Sequence, residues 1–330
     1  MYMSKIRIGV IRGGKSDEFE ISIKTGGNIL KNLPADKYKG VDILITRDGE
    51  WHLGGVPKDP REIALHIDVA FNTLHGEHGE DGKVSQILEE MKIPYTGSEA
   101  VPSSIALNKP LTKEALRRAG IKVPPGMLIE DYRDEVGGGS RADKIHELAL
   151  KIFRSIPPPW VLKPARGGSS INTFVAKSFE ELQKVLDNLF DYGGDLVVEQ
   201  YLRGKEVSSG VIENFRHERH YPLMPVEVKK KGDLFNFEEK QQPELICPST
   251  LSRAEKDAVM DTAIQAHKVL GLRDYSVSDF IVLPKSIYLL EVNNNPKCAE
   301  CSIMAESLKA VGSNIGDLAD HLITLALERK

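Results

Sequence analysis

Cysteine is scarce, with 3 in 330 residues. A disulfide framework is therefore excluded as an organising device, and a reducing cytoplasm is the expected compartment. Charge of one sign is not in excess either: 44 Lys+Arg face 48 Asp+Glu, a net charge of −4. That excludes a general nucleic-acid or polyanion binder, whose affinity rests on surplus basic charge, while leaving room for a local basic pocket around one small anion. No apolar run reaches the ~20 residues a membrane span needs. The opening stretch MYMSKIRIGVIRGG is too soon interrupted for a secretory signal. Internal repeats and low-complexity segments are absent. What remains is a chain 41% hydrophobic and 28% charged, the balance of a globular protein. Its length exceeds one ordinary core, so two or three domains are expected.

The pattern along the chain starts with a strand over Lys5–Ile11, closed by Gly13-Gly14. A helix follows, with Ile21, Ile23, Gly26 and Leu30 roughly on one face. Strands at Val41–Ile45 and Val69–Leu74 and a helix over Val84–Met91 complete a small open α/β unit, residues 1–97. One helix is expected over Ser103–Ala119 and a flexible loop over Asp134–Ser140, where three glycines follow one another. A helix carrying Ile145, Leu148 and Ile152 then leads to strands at Val161–Lys163, Ile171–Val175 and Leu196–Gln200, with a helix capped by Ser178 between the last two. Strands joined directly through a glycine loop and flanked by a helix point to an α+β layer over 98–199. In 200–330, strand patterns (Val207–Ile212, Pro225–Val228, Ser276–Val282, Ser286–Val292) surround a helix capped by Ser252 and ended by Gly271, and an amphipathic helix closes the chain.

Five features could carry chemistry. In Lys163-Pro-Ala-Arg-Gly-Gly-Ser-Ser170, a strand-end cation precedes glycines and hydroxyls that can wrap a polyphosphate; a plain polar turn fits the same residues. Asp279, Glu291 and Asn293 lie on two strands expected to pair, with Glu291 and Asn293 on one face. Three oxygen donors without His or Cys suit Mg²⁺ shared with phosphates. Their apolar flanks make a merely polar sheet face costly, since buried carboxylates need partners. The loop Leu74-His-Gly-Glu-His-Gly-Glu-Asp-Gly82 follows a strand end, where open α/β sheets bind ligands; its glycines favour a tight turn over a metal cluster. Cys298-x-x-Cys301 has no further ligands nearby and reads as chance spacing. The run Lys229-Lys-Lys231 reads as a solvated loop.

Taken in order, Gly13-Gly14…Glu18…Ser22, Leu74-His-Gly…Gly79-Glu-Asp-Gly82, Ile93-Pro-Tyr-Thr-Gly97, Asn108-Lys109, Lys163-Pro-Ala…Gly168-Ser-Ser170, Val198-Glu-Gln-Tyr-Leu202, Gly204-Lys-Glu206, Asp279-Phe280 and Leu290-Glu-Val-Asn293…Pro296 resemble the D-alanine–D-alanine ligases of the ATP-grasp superfamily. The resemblance spans nearly the whole chain. It implies a three-domain ATP-grasp architecture, α/β and α+β: an N-terminal open α/β substrate domain (1–97), a central ATP-grasp subdomain (98–199) and a C-terminal one with the Mg²⁺ site (200–330). It implies that ATP phosphorylates one D-alanine carboxylate and that a second D-alanine amine attacks the acyl phosphate, for peptidoglycan precursors. Lys109, Lys163, Ser169 and Ser170 would hold the ATP phosphates, Glu199, Gln200, Tyr201 and Leu202 the adenine, and Glu206 the ribose. Asp279, Glu291 and Asn293 would bind two Mg²⁺, with Mn²⁺ as a substitute. Glu18 would hold the first substrate's ammonium, with His75 lining that site, and Ser302 and Ile303 would meet the second substrate's carboxylate. Ser169 and Lys240 would take part in closure and catalysis. A cytoplasmic homodimer without nucleic-acid or membrane partners is implied as well.

Several positions depart from the family. Gln241 stands where a Tyr follows Lys240, and Asn172 replaces a Gly. Val277 replaces an Arg that stabilises the oxyanion and pairs with the acceptor carboxylate, while Lys297 replaces the Gly after Pro296. Either Lys297 reaches into the site as a relocated charge, or it points to solvent and the acceptor carboxylate is not recognised. The departures leave open a ligase with another amino acid or amine acceptor. A catalytically silent nucleotide binder is disfavoured by the intact lysines and metal donors.

Overall fold

Strand β1 (Ile6–Gly13) runs parallel to β2 (Tyr38–Ile45) on one side and to β5 (Val69–Asn72) on the other. In this computed structural model, residues 5–130, 140–167, 172–191, 193–229 and 244–329 are described. All four residues of β5 are buried, which is why its sequence is a continuous run and not an alternation. Strands β3 (Trp51–Leu53) and β4 (Val56–Pro57) extend the sheet antiparallel, in the order β4-β3-β2-β1-β5. Gly13 ends β1 at φ +93°, and a Cβ there would lie 2.2 Å from the Ile45 carbonyl oxygen, so the turn requires glycine.

Helix α1 (Phe19–Asn32) buries Ser22, Thr25, Gly26, Asn28 and Ile29. Of the four residues expected on one face, Gly26 is buried and Leu30 packs against the core, while Ile21 and Ile23 are only half-buried. Polar contacts set the rotation instead: the Ser22 hydroxyl accepts from the Gly13 N–H at 2.8 Å and donates to the Thr73 carbonyl at 2.9 Å. Helices α2 (Pro60–Ala64) and α3 (Lys83–Glu90) complete this unit.

The single helix expected over Ser103–Ala119 is two, α4 (Ala100–Leu107) and α5 (Lys109–Arg118). Asn108 breaks them with an extended backbone and caps α5 by accepting from the Leu111 N–H at 3.1 Å. Pro110 sits in the first turn of α5, where its missing N–H costs nothing; inside a longer helix it would cost a hydrogen bond. Strand β6 (Gly126–Ile129), helix α6 (Arg141–Ser155), strands β7 (Trp160–Pro164) and β8 (Phe174–Ala176), helix α7 (Phe179–Phe190) and strand β9 (Leu196–Gln200) form the central layer. Its antiparallel sheet has the order β6-β9-β7-β8, packed under α6 and α7 through Trp160, Leu162 and Leu186. Most of the expected glycine loop before α6 lies outside the described residues; its last residue, Ser140, forms a capping box with Asp143.

The third sheet holds β10 (Lys205–Phe215), β11 (Glu218–Pro222), β12 (Val226–Lys229) and β13 (Glu244–Ile246), then, after helix α8 (Arg253–Val269), β14 (Tyr275–Leu283) and β15 (Ser286–Asn293). The order is β13-β12-β10-β14-β15, with β11 on β10. Helices α9 (Ile303–Ala310) and α10 (Ile315–Glu328) follow. Gly271, at φ +64°, ends α8 as expected. Leu116 of α5 shares a core with α8, β10 and β14, and Leu308 and Leu322 of α9 and α10 share one with β1 and β5. Among the described residues no helix is long and apolar enough to cross a membrane.

One buried carboxylate ties these layers together. Asp274 accepts from the Gly97 N–H at 2.7 Å and from the Arg329 guanidinium, one contact of which measures 3.0 Å. Burial pushes the Asp274 carboxyl up, opposed by Arg329 and the Gly97 N–H. Arg329→Ala would strand this charge. With Arg329 itself about a third exposed, the expected cost is near the low end for a broken buried pair, about 3 kcal/mol at pH 7. A carboxyl whose folded pKa is raised is favoured when protonated, so the deficit relative to wild type should shrink as pH falls toward that pKa. Urea melts of both proteins at two pH values would check this; a deficit that grows at the lower pH would contradict it.

Candidate active site

Glu18 sits at the N-terminal end of α1 and is 4% exposed, facing a cavity of about 660 Å³. Gly76 makes this possible: at φ +69°, a Cβ there would lie 2.9 Å from Glu18 Oε2. The loop after β5 also brings Glu80 to the cavity wall. His75 does not line the cavity, contrary to expectation. It is 1% exposed and stands behind Glu80, with Nδ1 3.2 Å from Glu80 Oε1 and Nε2 3.0 Å from the Thr25 hydroxyl. Burial and the Glu18 charge push the Glu80 carboxyl up, while His75 and Lys297 hold it down. Sequence reasoning passed over Glu80 as a site residue because the glycines around it read as a turn.

Lys109 also lines the cavity, and its ammonium donates to the Gly167 carbonyl at the start of the glycine loop. Ser169 and Ser170 lie outside the described residues, as do Lys240 and Gln241. Asn172, in the position of the family's glycine, has φ +59°; Asn is one of the few residues that tolerates this region. Lys163 ends β7 and pairs with Glu199 of β9 at 3.0 Å. Glu199 is 3% exposed and also pairs with Lys113, which sequence reasoning missed. The signal was available: Lys109 and Lys113 are four apart and share a face of α5. Burial and the neighbouring Lys163 hold the Lys113 ammonium well below its ordinary pKa, opposed by Glu291. The N–H groups of Gln200 and Tyr201 are bound to the Pro125 and Pro159 carbonyls at 2.8 and 2.9 Å. Those two donors are thus spent within the fold, and Leu202 is the next N–H along the chain. Glu206 of β10 lines the cavity.

The β14–β15 hairpin, turned by Pro284-Lys285, brings the three oxygen donors together. Asp279 stands opposite Glu291 and Val277 opposite Asn293, with a bulge after Asp279. Asp279, Glu291 and Asn293 all face the cavity, and the Ser208 hydroxyl donates to Asp279 Oδ1 at 2.5 Å. Two carboxylates and an amide oxygen make a donor set for a hard divalent cation. Among the described residues, no group of three or more His, Cys, Asp and Glu forms a metal-ligand cluster, including the His75 loop.

Ser302 caps α9, its hydroxyl accepting from the Ala305 N–H at 3.1 Å, and both Ser302 and Ile303 lie on the cavity wall. A helix N-terminus favours a carboxylate. Val277 presents an apolar surface to the same cavity. Lys297 does not point away to solvent: it lines the cavity, with Nζ 3.6 Å from Glu18 Oε1. The cysteines are free and unlike one another. Burial pushes the Cys298 thiol up to about 12, and Cys301 is exposed at the cavity edge.

Comparison with known proteins agrees with this arrangement. The D-ala D-ala ligase C-terminus model matches residues 116–324, and the D-ala D-ala ligase N-terminus model matches 7–64 and 55–98. The D-alanine–D-alanine ligase of Desulforudis audaxviator is 33% identical over 98% of this chain and 99% of its own. That of Desulfotalea psychrophila is 35% identical over 98% and 96%. Among solved structures, the D-alanine–D-alanine ligase of Bacillus anthracis complexed with ATP superposes with a TM-score of 0.77 at 27% identity, covering 98% of each chain. That of Coxiella burnetii gives 0.80 at 25% identity, covering 99% of this chain and 95% of its own. The chain is an ATP-dependent ligase with the three-domain ATP-grasp fold, and it belongs to the D-alanine–D-alanine ligase family.

Proposed function

We propose that this protein joins two D-alanines, activating the first with ATP, to supply a peptidoglycan precursor in the cytoplasm. The observation that carries the reading is the one cavity lined by Lys109 and Gly167, by Asp279, Glu291 and Asn293, and by Glu18. A cation for phosphates, oxygen donors for a metal and a carboxylate for an ammonium thus share one space, as the proposed reaction needs.

Glu18 receives the ammonium of the first D-alanine, with Glu80 beside it and His75 holding Glu80 in place. Lys109 and Lys163 neutralise ATP phosphates, helped by Ser169 and Ser170. Glu199 to Leu202 border the adenine, with Leu202 giving its N–H, and Glu206 takes the ribose. The donor carboxylate oxygen attacks the γ-phosphorus, and the bond to the bridging oxygen breaks, releasing ADP. The acceptor amine, deprotonated, attacks the acyl carbon; the C–N bond forms and the C–O bond to phosphate breaks, phosphate leaving with the electron pair. Ser302 and Ile303 orient the acceptor carboxylate, and Lys240 takes part in catalysis. Asp279, Glu291 and Asn293 would hold two Mg²⁺, which supply charge neutralisation for the phosphoryl group when bound; Mn²⁺ fits the same donors. A homodimer is part of the proposal, and sedimentation would test it. Val277 favours a second reading, the same chemistry with another amine acceptor. Phosphate release with ATP, Mg²⁺ and a panel of D- and L-amino acids, with products weighed by mass spectrometry, separates the two.

Asp279→Asn and Glu291→Gln should each abolish turnover and leave the melting temperature close to wild type, because each removes charge that offsets metal and phosphate. Near-normal turnover in both at ordinary Mg²⁺ would reject the metal assignment. Lys163→Ala should weaken ATP binding about tenfold to a hundredfold, the ~1.5–3 kcal/mol of a charge-assisted contact. Calorimetry reads this directly, and an unchanged Kd would remove Lys163 from the ATP site.

A further inference from the structure

The Glu18 carboxylate already has an ammonium beside it. Lys297 Nζ lies 3.6 Å from Glu18 Oε1, and the side chains are 27% and 5% exposed. The residue follows Pro296 on the loop that leaves the metal-donor strand β15 and leads to Ser302 at the start of α9. Lys297 shares one cavity with Glu18 and Glu80, proposed for the donor, and with Val277 and Ser302, proposed for the acceptor.

Lys297 Nζ stands against Glu18 Oε1 in the cavity, so an arriving donor ammonium meets a cation already beside the buried carboxylate it needs. Either the donor is refused or Lys297 leaves. Lysine is suited to leaving, being a compact, strongly hydrated charge on a flexible four-carbon stem. The acceptor subsite supplies a destination, because Val277 offers a second carboxylate no cation.

We propose that Lys297 is a placeholder for the donor's ammonium in the empty site and that, displaced by the donor, it pairs with the carboxylate of the acceptor. The donor must then bind first, and one lysine serves both subsites in turn. The inference rests on the ligase reading above.

Lys297→Ala gives the two subsites opposite outcomes. Donor binding is read without an acceptor, as positional isotope exchange in ATP labelled at the β,γ bridge. Removing the competing ammonium should lower the donor's half-saturation about fivefold, the worth of a partly exposed ion pair. The acceptor is read as the ratio of kcat/KM for D-alanine over D-alaninamide, which lacks the carboxylate. That ratio should fall about tenfold to a hundredfold, and Lys297→Arg should keep most of it. A merely structural role would move both constants in the unfavourable direction. A ratio unchanged within about twofold, or a donor half-saturation that rises, overturns the inference while leaving the ligase reading standing. A wild-type enzyme that makes no D-alanyl product overturns both.

Discussion

The Glu199 carboxylate, buried and shared between Lys113 and Lys163, is the contact on which the site depends. Lys163 and Glu199 belong to adjacent strands of the central sheet, whereas Lys113 stands on α5, whose Leu116 packs into the core of the third sheet. The triad thus ties α5, packed on the third sheet, to two adjacent strands of the central sheet. Such buried pairs add little net stability, since desolvation offsets most of the attraction. What this one supplies is position. Burial and the neighbouring Lys163 and Lys109 push the Lys113 ammonium down, opposed by Glu291. An arriving anion would offset that crowding of lysines, in line with the phosphate role proposed for Lys109 and Lys163.

The carboxylates of the cavity have the reverse problem. Glu18 and Glu80 are both buried and repel one another. His75 and Lys297 offset part of that repulsion from inside the chain. The two groups therefore carry opposite imbalances, one suited to phosphates and the other to an ammonium. The β14–β15 hairpin presents oxygen donors suited to a divalent cation to the same cavity. A ligase must bring a phosphoryl group, a carboxylate and two amines into one space, and this polarity sorts them.

Much of this was legible in the sequence where the signal was local. The spacing of Glu291 and Asn293 and the short turn before Ser286 placed the metal donors on facing strands, and Asp279 came out opposite Glu291. The strand Leu196–Gln200 has the bounds its pattern indicated. Failures occurred where tertiary contacts override a pattern. The rotation of α1 follows the hydrogen bonds of Ser22, which no count of apolar residues can reveal. The break at Asn108 was legible in Pro110, but the apolar periodicity ran through it. His75 was expected on the wall from the family resemblance, which carries its motif as a whole. The motif does not tell which of two neighbours faces ligand and which stands behind. Short elements such as β3 and β4 are too brief for periodicity to define.

The asymmetry of Cys298 and Cys301 has a practical side. A thiol pushed up to about 12 or, as for Cys247, to about 11 is a poor nucleophile at neutral pH. Cys301 is exposed, at the cavity edge and next to Ser302. Mild alkylation should therefore mark one position per chain, without engineering away the other cysteines. A small fluorophore there would sit at the cavity, beside the residues proposed to meet the acceptor, and its brightness and quenching would follow substrate entry in real time.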